Sequence, residues 1–411
     1  MKRFLFLILL ITLKVSGKPV KVLFIGNSYT AANNLPVMFT QLALSKGDSV
    51  LAYSVNPGGY TFELHTYYAP TLAMIDSMDW DYVVLQEQSQ RPSFPQSQVE
   101  VEVYPYARAL DSLIHLNNPC TETVFYMTWG RKYGDAGNCA FWPPVCTFTG
   151  MQQQLRDSYV KMGMDNAALV APVGEAWKNS WNADSTINLW VSDNSHPDVT
   201  GTYLAACVFY ATIMRQSPVG ASYIAGLSPS VSSHLQQIAA TTVFDSLSVW
   251  NIGMYDVNAG FNVITNGLQV NVSNTSTNAI NYFWDFGDGT TSTLPQPPAH
   301  LYTSTGNYTI TLIADNGCTA DTLIQPVSVS ATGISDPTDE QCIRQTNPGV
   351  FQISCNQIRK VKVYNAEGKV VRELTDLPVG TVSFNLEKPG LYLVVFQTRD
   401  GRRIPFRWVK H

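Results

Sequence analysis

The stretch FIGNSYTAANNLP, residues 24–36, decides how the first half of this chain folds. An apolar run over residues 20–25 has the character of a buried strand, and it stops abruptly at Gly26, Asn27 and Ser28. A serine at this point has two possible explanations. It caps the helix that follows, or it faces a bound substrate as a nucleophile.

Strand-like and helix-like segments alternate around this stretch, from about residue 18 to residue 250. The predicted strands are VKVLFIG, DSVLAYSVNPGG, WDYVVLQ, ETVFYMTWG and AALVAPVGEAW. LPVMFTQLALSKG predicts a helix after the first strand, and TGTYLAACVFYATIM predicts the closing helix. The alternation indicates an α/β domain with a parallel sheet and helices on both faces.

The composition supports several folded domains. The chain has 411 residues, of which 45% are hydrophobic and 14% are charged, so large cores are expected. The formal net charge is −5 without a basic run, which gives no support to nucleic-acid binding. Short strand patterns predict all-β sandwich domains at residues 255–330 and 346–411, joined by a polar linker at residues 331–345.

The N-terminus predicts an export signal over residues 1–17. Lys2 and Arg3 precede a short apolar stretch that ends near the small residues Ser16 and Gly17. A buried first helix is the alternative. No later segment is long and apolar enough to predict a transmembrane helix. The protein is therefore expected in the medium or on the cell surface, where disulfides persist.

The seven cysteines suit such a compartment. Cys139 and Cys146 form one close pair that can be a disulfide, and Cys342 with Cys355 forms a second. Cys207 lies in an apolar helical pattern and is expected in the core. The sequence has no CxxC pair, so no structural zinc site is predicted.

A second polar segment, SDNSHPDVTG, precedes the last predicted helix. Asp193 and His196 are three residues apart, so the carboxylate can orient the imidazole and leave its other nitrogen as a base. A helix-leading loop with a surface histidine is the simpler alternative. Because ligands bind beyond the carboxyl ends of parallel strands, Ser28 and this loop are expected at one rim.

Two further segments follow strands at that rim. NPGGYTF places Gly58 and Gly59 where backbone N–H groups approach a substrate closely. LQEQSQRP offers the side-chain amides of Gln86 and Gln88 as donors to a developing oxyanion. Taken singly, the two segments are an ordinary tight turn and an ordinary polar loop.

Residues 20–215 resemble SGNH-type (GDSL-like) serine hydrolases. IGNSYT is similar to the family's serine block, PGGYT to its glycine block and DNSHP to its DxxH block. The resemblance implies a flavodoxin-like three-layer α/β/α fold. It also implies Ser28 as nucleophile, His196 as base, Asp193 as its orienting partner, and an oxyanion hole that includes the N–H groups of Ser28 and Gly59.

The chain departs from this family at the GxND block, where LQEQSQRP stands instead. The departure resembles a branch of the superfamily with glutamine in this region. Gln86 is the expected oxyanion donor and Gln88 the second choice. Strand alternation puts both on one face, so the sequence does not separate them cleanly. The chemistry implied is covalent acyl transfer without a metal or organic cofactor.

Six aromatic residues after the fourth strand predict either a sugar-stacking platform or ordinary packing. They are Trp129, Tyr133, Trp142, Trp177, Trp181 and Trp190. The long loop GRKYGDAGNCAFWPPVCTF is expected to form a lid or a pocket wall.

The two C-terminal segments carry resemblances of their own. YFWDFGDGTTS and the strands after it resemble a PKD domain, a type that usually serves as a spacer or a polysaccharide-binding module. Residues 346–411 resemble the C-terminal sorting domain of proteins exported by the type IX secretion machinery, and the resemblance is carried by GLYLVVFQTRDGRRIPFRWVK at residues 390–410. One more binding sandwich is the alternative for this last segment.

The leading hypothesis is a secreted serine esterase that acts on acylated carbohydrate, with O-acetyl esters as the expected substrates. A surface carbohydrate-binding protein with a catalytically weak hydrolase-like domain is one alternative, because the GxND block is missing. A lipase or thioesterase for longer acyl chains is another.

Overall fold

The computed structural model describes residues 18–330, 342–347, 349–386, 388–399, 401 and 403–410. The predicted signal peptide and most of the predicted linker lie outside these residues. The chain divides into two compact units. The first contains residues 1–258, 277–280 and 315–321, and the second contains residues 259–276, 281–314 and 322–411.

A parallel sheet of five strands forms the centre of the first unit. Its strands are β1 (Val20–Ile25), β2 (Val50–Val55), β3 (Tyr82–Leu85), β4 (Glu122–Tyr126) and β5 (Leu169–Ala171). Their order in the sheet is β2-β1-β3-β4-β5. This order is the flavodoxin-like arrangement, which has its switch point between β1 and β3. The predicted α/β fold class is confirmed.

The helices of the first unit form two packing groups, and α7 lies against α8, β4 and β5. One group consists of α2, α8, α9 and α10, and the other of α3, α4, α5 and α6. The helices are α1 (Ser28–Ala31), α2 (Leu35–Ser45), α3 (Phe62–Tyr67), α4 (Ala69–Ile75), α5 (Gln96–Glu102), α6 (Tyr104–Asn117), α7 (Phe148–Asp165), α8 (Val173–Ala183), α9 (Val199–Ile213) and α10 (Pro229–Phe244).

One helix was placed wrongly in the chain order. The segment predicted to be the closing helix is α9, but α10 follows it. Every residue of α9 from Gly201 to Ile213 is buried. A helix that is apolar all round needs cover on all sides, and α10 packs against it together with α2 and α8.

Among the described residues of the C-terminal half, the strands form four small sheets, as expected for all-β sandwiches. Their orders are β10-β7-β6, β12-β11-β8-β9, β13-β14-β17 and β16-β15-β18-β19. The strands are β6 (Phe261–Asn266), β7 (Gln269–Asn274), β8 (Asn281–Asp285), β9 (Thr291–Ser292), β10 (His300–Leu301), β11 (Gly306–Asp315), β12 (Ala320–Val329), β13 (Ile343–Asn347), β14 (Val350–Ile353), β15 (Ile358–Tyr364), β16 (Val370–Thr375), β17 (Gly380–Ser383), β18 (Gly390–Thr398) and β19 (Arg403–Lys410).

Both predicted disulfides are formed, Cys139–Cys146 and Cys342–Cys355. A third, Cys120–Cys318, joins two residues of the first unit that are 198 positions apart. Cys207 is free and buried, as predicted. Within the described residues, no helix combines the length and the apolar character that a membrane span requires.

Candidate active site

Ser28 lies at the switch point of the sheet, three residues after the end of β1. The residue that caps α1 is Asn27, whose side chain accepts a hydrogen bond from the Tyr29 N–H at 3.1 Å. Ser28 is therefore the first helical residue and not the cap. Its Oγ lies 2.9 Å from Nε2 of His196.

Asp193 holds the imidazole from the other side. His196 Nδ1 lies 2.6 Å from Asp193 Oδ2, while Oδ1 accepts the backbone N–H groups of Ser195 and His196 at 2.9 Å each. Burial opposes ionisation of Asp193, but these hydrogen bonds outweigh it and lower the pKa of the carboxyl. An ionised Asp193 fixes the proton of His196 on Nδ1 and leaves Nε2 free to accept one from Ser28.

Tyr29 and Trp129 support the histidine loop, a role that the sequence did not reveal. The Tyr29 ring stacks on Trp129 and meets the His196 ring edge-on. Its hydroxyl lies 2.6 Å from Ser195 Oγ, and Trp129 Nε1 donates to the Ser195 carbonyl at 2.9 Å. Because both aromatic residues are buried, they hold the loop of His196 against a rigid surface.

His65 holds the backbone just before the serine and was also missed by sequence reasoning. Its Nε2–H donates to the Gly26 carbonyl at 2.9 Å, so its Nδ1 accepts from the Thr71 hydroxyl at 2.7 Å. Burial lowers the pKa of His65 to about 4, against a weaker opposing effect of the hydrogen bond to Gly26. His65 is therefore neutral near pH 7 and acts as a fixed donor to the turn.

Gln86 lies beside Ser28 as expected, but its side chain is fully buried at 0% exposure. Its Oε1 accepts from the Asn27 N–H and the Thr30 hydroxyl, at 2.9 Å each. Its Nε2 donates to Asn27 Oδ1 and to the Glu87 carbonyl. Both amide N–H groups are used inside the protein, which is evidence against the expected role as an oxyanion donor.

Gln88 is half-buried and its amide is oriented by its neighbours. Its Oε1 accepts the backbone N–H groups of Gln90 and Arg91, at 2.9 and 3.3 Å. Its Nε2 has one partner among the described residues, Gln90 Oε1 at 3.2 Å. A second N–H therefore remains for an acceptor outside the protein.

Glu87 links the glutamine segment to the loop after β2. Its two carboxyl oxygens accept the backbone N–H groups of Gln88 and Phe62. Burial raises the pKa of Glu87 to about 7, and these two hydrogen bonds oppose the rise. The start of α3 and the segment after β3 are thus joined through one buried carboxyl group.

Gly59 occupies a turn in which the Tyr60 N–H donates to the Pro57 carbonyl. Its φ of 74° is one that glycine adopts without strain. The turn is tied to the serine segment because Asn27 Nδ2 donates to the Tyr60 carbonyl at 2.9 Å. Neither the Ser28 nor the Gly59 backbone N–H has an acceptor within the described part of the chain.

The predicted aromatic platform is largely core. Trp129, Trp177 and Trp190 are buried; Trp129 stacks on Trp177, and Trp190 meets Trp177 edge-on, so packing is the correct interpretation for these three. Trp142 and Trp181 are half-buried. Tyr133 differs from the other five because it is 71% exposed.

No group of three or more His, Cys, Asp and Glu residues in the described ranges is arranged to hold a metal ion. Acyl transfer through a serine and a histidine uses the residues already assembled around Ser28.

The C-terminal half contains a segment that matches a known family. Residues 257–330 match the PKD domain family. They are a PKD domain. Polycystin-1-like protein 1 from Homo sapiens is 33% identical over 72 residues, an overlap of 18% of this chain and 2% of that protein. This chain thus spans a very small part of the length of that curated relative.

Two solved structures are similar to about half of this chain. A DUF4886 family protein from Bacteroides uniformis is 17% identical, with 55% of this chain and 95% of that chain covered and a TM-score of 0.47. A candidate SGNH hydrolase from Slackia heliotrinireducens is 25% identical, with 48% and 100% covered and a TM-score of 0.40.

The buried histidine predicts a particular pH dependence of stability. Because burial lowers the pKa of His65, the unfolded chain binds a proton between about pH 6.5 and about pH 4 that the folded chain does not. His65 stabilises the fold fully above this window and progressively less as the pH falls through it. His65→Gln should be less stable than wild type at about pH 7.5, with a deficit roughly 2–3 kcal/mol smaller at about pH 4.5.

Chemical unfolding of both proteins at the two pH values measures this difference. His115→Gln is a control of opposite sign, because the hydrogen bond with Asp111 raises the pKa of His115. The stabilising contribution of His115 is lost as the pH rises. The loss of stability caused by His115→Gln should therefore be larger at the lower pH. If the free energy of unfolding lost in His65→Gln is the same at both pH values, His65 is not held neutral by burial.

Proposed function

We propose that this protein is a secreted serine esterase that hydrolyses acyl esters, with O-acetyl groups on carbohydrate as its substrates. The observation that carries the proposal is the continuous contact from Ser28 Oγ to His196 Nε2 and from His196 Nδ1 to Asp193. A serine, a base and an orienting carboxylate in this order are the parts of a serine hydrolase triad. The intact contacts favour catalysis over the alternative of a binding protein alone.

In the proposed reaction, His196 Nε2 accepts the Ser28 hydroxyl proton as Oγ attacks the ester carbonyl carbon. The carbon–oxygen bond to the alcohol then breaks, and the alcohol leaves with the proton from His196. Water, deprotonated by the same nitrogen, attacks the acyl-enzyme. The bond from the acyl carbon to Ser28 Oγ then breaks, His196 returns the proton to Oγ, and the acid is released. Asp193 stabilises the imidazolium that forms in each half of the reaction.

For the oxyanion hole we propose the backbone N–H groups of Ser28 and Gly59 and the side chain of Gln88. The two backbone groups have no acceptor among the described residues, and Gln88 has an uncommitted amide N–H. Gln88 replaces Gln86 in this role because both N–H groups of Gln86 donate inside the protein. Donors that are fixed before the reaction stabilise the charge that develops in the transition state.

The carbohydrate part of the proposal has two supports. One is the PKD domain at residues 257–330, because such domains usually act as spacers or polysaccharide-binding modules. The other is the loop after β4, which exposes Tyr133 by 71% and Phe141 by 86%. The backbone of its Lys132 donates to the carbonyl of Asn194, two residues before His196, so this loop adjoins the triad. Exposed rings of this kind can stack on sugar faces.

We further propose that the chain is exported through its N-terminal signal and sorted by the type IX secretion machinery through residues 346–411. The support is the sequence pattern at each end, and the PKD domain is consistent with an extracellular or cell-surface protein.

Replacing the proposed nucleophile tests the central step. Ser28→Ala should lower kcat for p-nitrophenyl acetate by about 10³-fold or more, because the acyl-enzyme cannot form. Steady-state kinetics on the folded variant measures the loss. Ser45→Ala is the matched control, since among the described residues Ser45 Oγ bonds only the carbonyl of Leu42 in its own helix. Wild-type turnover in a folded Ser28→Ala protein would refute the proposal.

Removing the exposed ring tests the carbohydrate substrate. Tyr133→Ala should raise KM for an acetylated polysaccharide about threefold to tenfold, the size of one lost stacking contact. KM for p-nitrophenyl acetate should not change, because this small ester does not reach the ring. Tyr133→Phe keeps the ring and should behave like wild type. Equal effects of Tyr133→Ala on both substrates would argue against stacking of a sugar chain.

A further inference from the structure

The loop of residues 131–146, which includes the disulfide Cys139–Cys146, contains a buried carboxylate. The side chain of Asp135 is 1% exposed. Its Oδ2 accepts from Gln90 Nε2 at 2.6 Å and Asn138 Nδ2 at 2.7 Å, and its Oδ1 accepts from Arg131 Nη1 and the Gly137 N–H at 3.2 Å each. Burial opposes its ionisation, but these four donors lower the pKa of Asp135.

An ionised carboxylate only accepts hydrogen bonds, so the atom of Gln90 that faces Asp135 is its amide nitrogen. The carbonyl oxygen of Gln90 then points the other way, and it lies 3.2 Å from Gln88 Nε2. On the far side of Gln88, Oε1 accepts two backbone N–H groups. The donor and acceptor ends of both glutamine amides are therefore assigned by a chain that begins at Asp135.

We infer that Asp135 is a positioning residue for ester hydrolysis, acting through Gln90 to hold the amide of Gln88 with its free N–H directed at the oxyanion. The inference rests on the proposed function. It also gives the loop of residues 131–146 a role in turnover. Asp135 itself touches no reacting atom in this scheme.

Asp135→Asn should reverse the chain while keeping the shape of the side chain. The remaining oxygen would stay with the cationic Arg131 and the Gly137 N–H, so the new amide nitrogen would face Gln90. Gln90 would then turn its oxygen toward residue 135 and its nitrogen toward Gln88 Nε2, and two donors would oppose each other. The Gln88 amide would lose the partner of its nitrogen and keep only the two backbone N–H groups on its oxygen.

The test is a double-mutant cycle on kcat for p-nitrophenyl acetate. Gln88→Ala should lower kcat about 10²-fold, the usual cost of losing one oxyanion donor. Asp135→Asn should lower kcat about tenfold, with KM within about twofold, because the donor acts mainly on the transition state. In the Gln88→Ala background, Asp135→Asn should cause no further loss.

A rescue variant separates positioning from general support of the fold. Gln90→Glu added to Asp135→Asn exchanges the donor and the acceptor, so residue 90 again presents an oxygen to Gln88 Nε2. This double variant should recover most of the kcat lost in Asp135→Asn. If Asp135→Asn does not fold, Gln90→Leu provides a second test. It removes the link between Asp135 and Gln88 at a half-buried position and should lower kcat by about the same factor.

The inference is overturned if a folded Asp135→Asn or Gln90→Leu variant loses as much kcat in the Gln88→Ala background as in wild type. It is also overturned if the Gln90→Glu rescue fails in a protein with wild-type thermal stability. Either result leaves the proposed function intact as long as wild type hydrolyses the ester and Ser28→Ala does not. Loss of the proposed function itself would appear as the absence of turnover in wild type.

Discussion

The pairing of Asn27 with Gln86 is the interaction on which the rest of the site depends. The Gln86 amide accepts the Asn27 backbone N–H and donates to its side chain, while Asn27 Nδ2 reaches the Tyr60 carbonyl. One buried pair therefore joins the segments that follow β1, β2 and β3. Breaking such a pair would leave buried amide groups without partners, which is costly in a dry interior. This explains why a fully buried glutamine stands at the end of β3.

The serine and the histidine loop are held by different parts of the core. The serine side rests on the amide pair and on His65, which fixes the Gly26 carbonyl. The histidine side rests on Tyr29 and Trp129, which bond both the side chain and the carbonyl of Ser195. Tyr29 belongs to α1, directly after Ser28, so the same short helix carries the serine and supports its base. This sharing keeps the distance between Ser28 Oγ and His196 Nε2 short.

Much of this arrangement could be predicted from the sequence. Apolar runs that end at polar residues predict the five parallel strands, and the spacing of Asp193 and His196 predicts their contact. The choice between Gln86 and Gln88 could not be made, because the alternation rule places both on one face. β3 ends at Leu85, so the rule no longer applies to either residue. The inward turn of Gln86 follows from its partners in the segment after β1, Asn27 and Thr30.

Other features are invisible to local patterns for a similar reason. The Cys120–Cys318 bond joins residues 198 positions apart, and no spacing rule relates them. His65 lies in a short helix with no motif around it, and its role arises only when Gly26 packs above it. The buried tryptophans could equally have been an exposed platform, since their spacing does not distinguish a stack in the core from a stack on the rim.

Covalent labelling of the nucleophile tests the central claim most directly. Diethyl p-nitrophenyl phosphate phosphorylates activated serines, and mass spectrometry of the digested protein locates the adduct. If Ser28 is the nucleophile, one adduct forms on the peptide that contains Ser28, ester hydrolysis is lost in proportion to labelling, and Ser28→Ala carries no adduct. Continued ester hydrolysis in a protein that is unlabelled at Ser28, or labelled at another residue, would contradict this assignment.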